Sequence, residues 1–331
     1  MSEANPAVDV TSKPVPSAAV QQLQFGLSSK PRTLIGDAWR RFRRHKLAMI
    51  GASILVIFIL TVLIGPSIYL LRSPDIKDFK AYTEQLDFVT ILAGPSAEHP
   101  FGTDDLGRDQ LSRAVYGGRI SLLVGFAAML IAVSLGTVVG AAAGFLGGTV
   151  DQVLMRITDL FLSLPGLPLI ILMVYLFREP VQKWLGQETG IFVIVVVMIG
   201  GLAWMQTARI VRSSFLSLKE KEFVEAANCL GISKTAIMFR HILPNAFSPI
   251  IVAATLEIGN AIIAESTLSF LGVGFPPDTP TWGRLVTDGS QFLQAGAHLA
   301  LFPGALIFLT VLSINFMGDG LRDALDPRSR L

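Results

Sequence analysis

The sequence predicts an all-α membrane protein, a bundle of six transmembrane helices with both chain ends on the cytoplasmic side. Three observations carry this. Of 331 residues, 51% are apolar and only 16% charged, with a mean hydropathy of +0.57. A soluble domain carries about a quarter charged residues, and one this apolar would expose large sticky patches. Six apolar stretches approach the roughly 20 residues that a bilayer-crossing helix needs. Two thirds of the 27 lysines and arginines then fall on the side that holds the N-terminal tail, as the positive-inside rule requires of a cytoplasmic side. The single cysteine, Cys229, excludes an intrachain disulfide, and with four scattered histidines it offers no metal-ligand spacing.

Residues 1–33 are rich in Ser, Pro, Ala, Val and Gln without period, and are expected to form a disordered cytoplasmic tail. The membrane domain spans 34–331. It opens on the basic run Arg40, Arg41, Arg43, Arg44, His45, Lys46, which holds that end inside. The first span covers 47–71. Its long polar lead-in makes it no cleavable signal peptide. The mixed polar segment 72–119 is too long for a turn and is expected to form a small external structure of short helices and loop.

Within that segment, Gly102, Thr103, Asp104, Asp105, Gly107, Arg108 and Asp109 form a polar turn. Acids beside an arginine invite an ion pair and an Asx-type turn. Two readings are open. The turn anchors the start of the second span, or it presents a surface to a binding protein or an external gate. The few oxygen ligands argue against a Ca²⁺ site.

The second span, 120–147, and its end carry Gly136, Gly140, Gly144, Gly147 and Gly148, a small-residue spacing that lets helix backbones approach closely. That seam serves packing within the chain or between two chains. The third span, 160–177, contains Pro165 and Pro168, which should kink or unwind it. The fourth, 189–208, is uncharged. The fifth, 246–272, holds Glu257 and Glu265. A charge at mid-bilayer costs about 2.5–3.5 kcal/mol on insertion scales, so both must face the bundle, water or a partner. Their eight-residue spacing puts them about 80° apart around the helix. They either line a translocation path or bond between helices. The sixth span, 299–318, leads to a solvated tail with Arg322, Asp323, Asp326, Arg328 and Arg330, where Asp326-Pro327 ends the helix.

Between the fourth and fifth spans lies a cytoplasmic loop, 209–245. Phe223, Ala226, Ala227 and Leu230 follow the i, i+3, i+4, i+7 pattern of one helix face. Gly231 suits the left-handed residue that ends that helix. Ser233 is placed to cap a second short helix from Lys234 to about His241. Pro244 ends that helix or opens the next span. Ala226 and Ala227 keep one face smooth, so another protein can approach closely. An amphipathic helix lying in the headgroup layer is the plainer alternative. Glu220, Glu222 and Glu225 oppose it, because an anionic surface repels them.

Glu225-Ala226-Ala227, then Gly231, then Leu243-Pro244 resembles the EAA loop of ABC importer permeases. In that family the loop is the coupling helix that sits in a groove of the ATPase subunit. The family usually has Ile two residues before the Leu; this chain has His241, and its Arg-His-Ile-Leu-Pro-Asn resembles the peptide-importer branch. Phe101 to Asp109 followed by Leu111-Ser112-Arg113, Ser269 to Gly274 with Thr281-Trp282-Gly283, and Gly318 to Pro327 are similar to further motifs of the dipeptide/oligopeptide/nickel permeases. The likeness runs in order from about Arg40 to Pro327 and is closest to the "C" subunit of dipeptide and oligopeptide importers.

The resemblance implies a type I permease fold and a non-catalytic subunit of an ATP-driven peptide importer in the bacterial or archaeal cytoplasmic membrane. The chain lacks a Gly-x-x-x-x-Gly-Lys-Ser/Thr phosphate loop. ATP and Mg therefore belong to two partner ATP-binding subunits, and no cofactor or metal is expected here. A second homologous permease subunit, an extracytoplasmic substrate-binding protein and a peptide substrate complete the expected partners; nucleic acid is not among them. A stand-alone secondary transporter or channel is the alternative, but it calls for more intramembrane charge. A membrane-embedded hydrolase would need a nucleophile or metal motif that the sequence does not contain.

Overall fold

The computed structural model describes residues 34–72 and 78–325. The expected disordered tail over 1–33 and the polar end from Asp326 onward lie outside the described residues. The regular structure among the described residues is helical, with no strand; a single isolated bridge joins Thr103 and Asp109 in the loop 84–109.

The amphipathic helix α1 (Leu34–Arg44) is followed after one residue by α2 (Lys46–Arg72). The short α3 (Phe79–Thr83) starts where Asp78 accepts the Lys80 N–H at 3.2 Å. Helix α4 (Gln110–Leu146) starts at Asp109, whose carboxylate accepts the Ser112 N–H at 2.7 Å. It begins ten residues before the expected span at 120, and the charges that interrupt the apolar run are satisfied by neighbouring elements. Arg119, for example, donates from Nε to the Val62 carbonyl at 2.9 Å.

Across the third expected span, helices α5 (Gly148–Ser163) and α6 (Gly166–Leu185) meet at 87°, so the stretch 160–177 straddles a corner at the prolines expected to kink it. Leu164 is extended (ψ 142°) ahead of Pro165, as a residue before proline prefers, and the helix must restart. The next pair, α7 (Gln187–Gly201) and α8 (Trp204–Lys219), is bent by 40°. Helix α8 runs well into the segment expected to be loop from 209.

The expected second short loop helix is corrected. After α9 (Glu222–Cys229), α10 (Lys234–Ala236) passes through a π-helical turn at Ile237–Ile242 directly into α11 (Leu243–Phe270). Pro244 breaks nothing. It sits in the first turn of α11, just past the π turn, where the Leu243 N–H reaches back to the Met238 carbonyl. The wider i→i−5 spacing relieves the clash that proline makes with the carbonyl four residues earlier. The chain ends with α12 (Trp282–Ser290), α13 (Leu293–Gly296) and α14 (His298–Leu325).

Four helical stretches are long and apolar enough to cross a membrane by themselves: Lys46–Leu71, Gln110–Leu146, Lys234–Phe270 and His298–Leu325. Counting each bent pair as one span raises the number to six. Helix α4 is the hub, packed on α8, α11, α7 and α2, while α14 packs on α2, α11 and α12. The glycine seam lies inside the chain. A Cβ on Gly140 would stand 2.4 Å from the Ala208 carbonyl oxygen, and one on Gly144 would stand 2.7 Å from that of Arg212. Helices α4 and α8 therefore touch backbone to backbone. Val124, Ala128, Val174, Ile191, Val195 and Leu268 form the main core, and apolar side chains such as Ile57, Leu60 and Leu63 of α2 cover the outside.

Candidate functional site

The sequence offers three groups of candidate residues: the α9 loop, the turn ahead of α4, and the glutamates of α11. In α9, Val224 and Ala227 are buried in a cluster with Ala141 and Phe145 of α4, Val211 and Phe215 of α8, and Ile237 and Ile242 of the π turn. This corrects the expected face. Ala227 points inward with Val224, whereas Phe223, Ala226 and Leu230 point outward with Glu225. The helix has two apolar stripes, and only packing against Val211 and Phe215 decides which is enclosed. The outer stripe is large: Leu230 is 80% exposed and Phe223 40%, and Phe239 on the π turn is 58% exposed.

The end of α9 is a Schellman cap. Gly231 (φ +72°) donates its N–H to the Asn228 carbonyl at 3.0 Å, and Ile232 donates to that of Ala227 at 3.2 Å. Ser233 then caps the next helix, accepting the Ala236 N–H at 3.4 Å. Leu243 packs partly into the same cluster, and Pro244 is exposed. Lys219 donates from Nζ to the Phe145 carbonyl at 2.8 Å, tying the end of α8 to the end of α4. Arg212 of α8 pairs with Asp151 of α5, with Nη2 at 2.6 Å from the carboxylate. The loop is thus a firmly braced platform with an apolar outer surface edged by acids.

The turn ahead of α4 is an enclosed ion-pair network. Asp104 accepts the backbone N–H groups of Leu106 and Arg108, each at 2.9 Å, and Nε of Arg108 at 2.7 Å. It also pairs with Arg113, which is only 2% exposed and lies 3.8 Å from Asp288 of α12. Asp288 itself pairs with Arg284 at 2.9 Å, and burial pushes its carboxyl up against the pull of both arginines. Asp109 caps α4 and meets His99 Nδ1 at 3.0 Å. Gly107 (φ +75°) is required, since a Cβ there would stand 1.8 Å from the Asp87 carbonyl oxygen. Asp105 is half-buried in the same turn. The Trp282 indole N–H donates to the Ala114 carbonyl at 2.9 Å, and Phe101 stacks on Phe302 at 4.3 Å. Two motifs distant in sequence, the Phe101–Arg113 turn and the segment around Trp282, are therefore joined, and Asp104, Arg108 and Asp109 all bond at the start of α4. Beside this network, Lys80 pairs with Glu188 at the start of α7; that hydrogen bond holds the ammonium above the ordinary lysine range.

The glutamates separate. Glu265 is fully buried and accepts hydroxyl hydrogen bonds from Ser269 at 2.8 Å and from Ser121 of α4 at 3.2 Å. Ser121 in turn accepts the Trp282 N–H at 3.2 Å. This residue is an interhelical polar node, the second of the two readings its sequence position left open. Glu257 is half-buried and hydrogen-bonded to Asn260. Sequence reasoning missed Arg113 and Asp288 as partners. Arg113 was legible as a base opening an apolar run behind two acids; the pairing to α12 was not.

The family of binding-protein-dependent transport system inner membrane components matches residues 136–331. The N-terminal transmembrane domain of oligopeptide transport permease C matches residues 33–86. The oligopeptide permease protein OppC of Haemophilus influenzae is 42% identical, covering 90% of this chain and 90% of its own length. The dipeptide permease protein DppC of Alkalihalophilus pseudofirmus is 41% identical over 89% of this chain and 90% of its own. The glutathione permease protein GsiD of Escherichia coli is 38% identical over 94% and 96%. Among solved structures, a chain of the inward-facing MetNI methionine ABC transporter superposes with a TM-score of 0.51 at 20% identity, covering 65% of this chain and 97% of that one. That likeness shows the ABC importer permease fold. With its braced, outward-facing EAA platform and these matches along nearly all its described length, the chain belongs to the family of binding-protein-dependent transport system inner membrane components.

Proposed function

We propose that this chain is the permease subunit of an ATP-driven importer of dipeptides or oligopeptides, docking its ATPase through α9. The observation that carries the reading is the apolar outer stripe of α9, Phe223 and Leu230 beside Glu225, on a helix braced to α4 and α8. Such a stripe has no use in water and suits a protein groove. Two ATP-binding subunits hold ATP and Mg; a second homologous permease completes the path; a substrate-binding protein delivers peptide from outside. The chain lies in the bacterial or archaeal cytoplasmic membrane with six spans and both ends inside. The peptide class follows the relatives named for oligopeptides and dipeptides.

The mechanism follows from the connection. Closure of the ATPases displaces α9. The Schellman cap and the short α10 leave little slack, and the π turn continues into α11 without a loop. Movement at α9 thus reaches Glu257, 14 residues into α11, as a rigid displacement, and the path opens alternately to either side. Mild-detergent purification of the tagged chain from its own cells tests the reading. Co-purification of a second permease and P-loop ATPases is expected, with peptide uptake that requires ATP. Recovery of the chain alone, active in liposomes without ATP, would overturn it.

A further inference from the structure

The first helix carries a feature that docking to ATPases does not use. Helix α1 is pinned to the bundle by one face. Phe42 is buried with Ala48 and Ala324, and Gly320 makes room for it: a Cβ there would stand 2.3 Å from Ala48 Cβ. His45 Nδ1 accepts the Ala48 N–H at 3.1 Å, and its Nε2 lies 3.6 Å from Asp323 of α14. The opposite face is therefore held in a fixed orientation. Bordering it, Trp39, 58% exposed, stacks on Phe42 one turn along the helix at 5.9 Å and 15°. Trp39, Arg40, Arg43 and Arg44 together with Gly36 line a concave pocket of ≈ 360 Å³. Among the described residues, none of these three arginines has a carboxylate at ion-pair distance. The other cationic networks of the fold are paired: Arg108 and Arg113 with Asp104, Arg212 with Asp151, Arg284 with Asp288.

We infer that this pocket binds the phosphate headgroup of an anionic phospholipid. Guanidinium forks match phosphate oxygens bidentately, and an indole at a membrane interface sits at headgroup depth. Charge and location agree. One residue separates α1 from α2, whose exposed apolar face begins at once with Leu47 and Ile50. A headgroup in the pocket therefore has its acyl chains beside a surface that suits them. A protein partner with an acidic patch would match the arginines but not that apolar continuation. The inference rests on α2 crossing the membrane and is independent of which solute the importer carries.

The test uses the full-length chain reconstituted in nanodiscs containing equal amounts of phosphatidylglycerol and phosphatidylcholine, then released for native mass spectrometry. The wild type is expected to retain phosphatidylglycerol preferentially. R40Q/R43Q/R44Q should lose that preference by about five-fold per arginine, the effect of one basic residue near an anionic surface. R40K/R43K/R44K should keep part of it. Thermal unfolding checks that these exposed changes leave the fold intact. An unchanged preference in the triple Gln variant, or none in the wild type, overturns the proposal. So does displacement of the lipid by inorganic phosphate, which would reassign the pocket to a free anion. Loss of the ATPase subunits from the triple variant with lipid retention unchanged would reassign it to a protein.

Discussion

Two enclosed carboxylates, Asp104 and Glu265, answer to different partners and predict different losses. Asp104→Ala leaves the buried Arg113 with only Asp288, 3.8 Å away. Removing one partner of a buried pair costs about 3–5 kcal/mol, so the purified variant should unfold at a clearly lower temperature in detergent. Glu265 receives hydroxyls only. Glu265→Gln keeps acceptor capacity and should transport and melt like the parent. Glu265→Leu orphans two serines at about 1–3 kcal/mol each and should melt earlier. Abolished transport in a stable Glu265→Gln would instead give that carboxylate a charge-dependent role. At Gly231 an added side chain meets nothing within 4 Å, so the penalty is purely conformational. The left-handed region costs an L-residue about 1–2 kcal/mol. Gly231→Val should open the cap and uncouple uptake while the chain remains in the membrane. Normal uptake by that variant would contradict the platform reading.

At the scale of elements, the α4–α8 seam is the most demanding contact. Gly136, Gly140 and Gly144 each place a notional Cβ under 3 Å from α8, and backbone cannot yield there. Gly140→Leu should separate the two helices and lower thermal stability sharply. Gly304→Ala in α14, where an added methyl meets nothing within 4 Å, should be neutral or gain up to about 1 kcal/mol from helix propensity. Equal melting of the two variants would show that the seam is not tight. The glycine spacing was visible in sequence; its partner helix was not, since small residues mark close approach without naming what approaches. The same holds for α9, whose two apolar stripes could be exchanged by pattern alone.

For the whole molecule, the exposed thiol on α9 reports which side of the membrane the loop occupies. Cys229 is the one cysteine and is exposed on α9. With both ends inside, an impermeant maleimide should label it in inside-out vesicles stripped of peripheral proteins, and leave it untouched in intact cells. The reverse pattern would invert the proposed topology. Glu257→Cys in a Cys229→Ser background should react with a small water-soluble thiol reagent in at least one nucleotide state. Complete protection throughout would place Glu257 in helix packing, as Glu265 already is.

Membrane class, helical architecture and the family were legible in the sequence alone. Apolar run length, charge distribution and the Glu-Ala-Ala to Pro244 spacing are local properties that survive without knowledge of neighbours. Tertiary structure decided the rest. It set the 87° angle of the corner that the prolines of the third span mark, fused α10 to α11 through a π turn, and enclosed Val224 in place of Phe223. It also joined Asp104, Arg113 and Asp288 and divided Glu265 from Glu257. Each of these depends on which distant backbone or side chain supplies a hydrogen bond, a charge or a matching surface. A linear pattern carries no record of that choice.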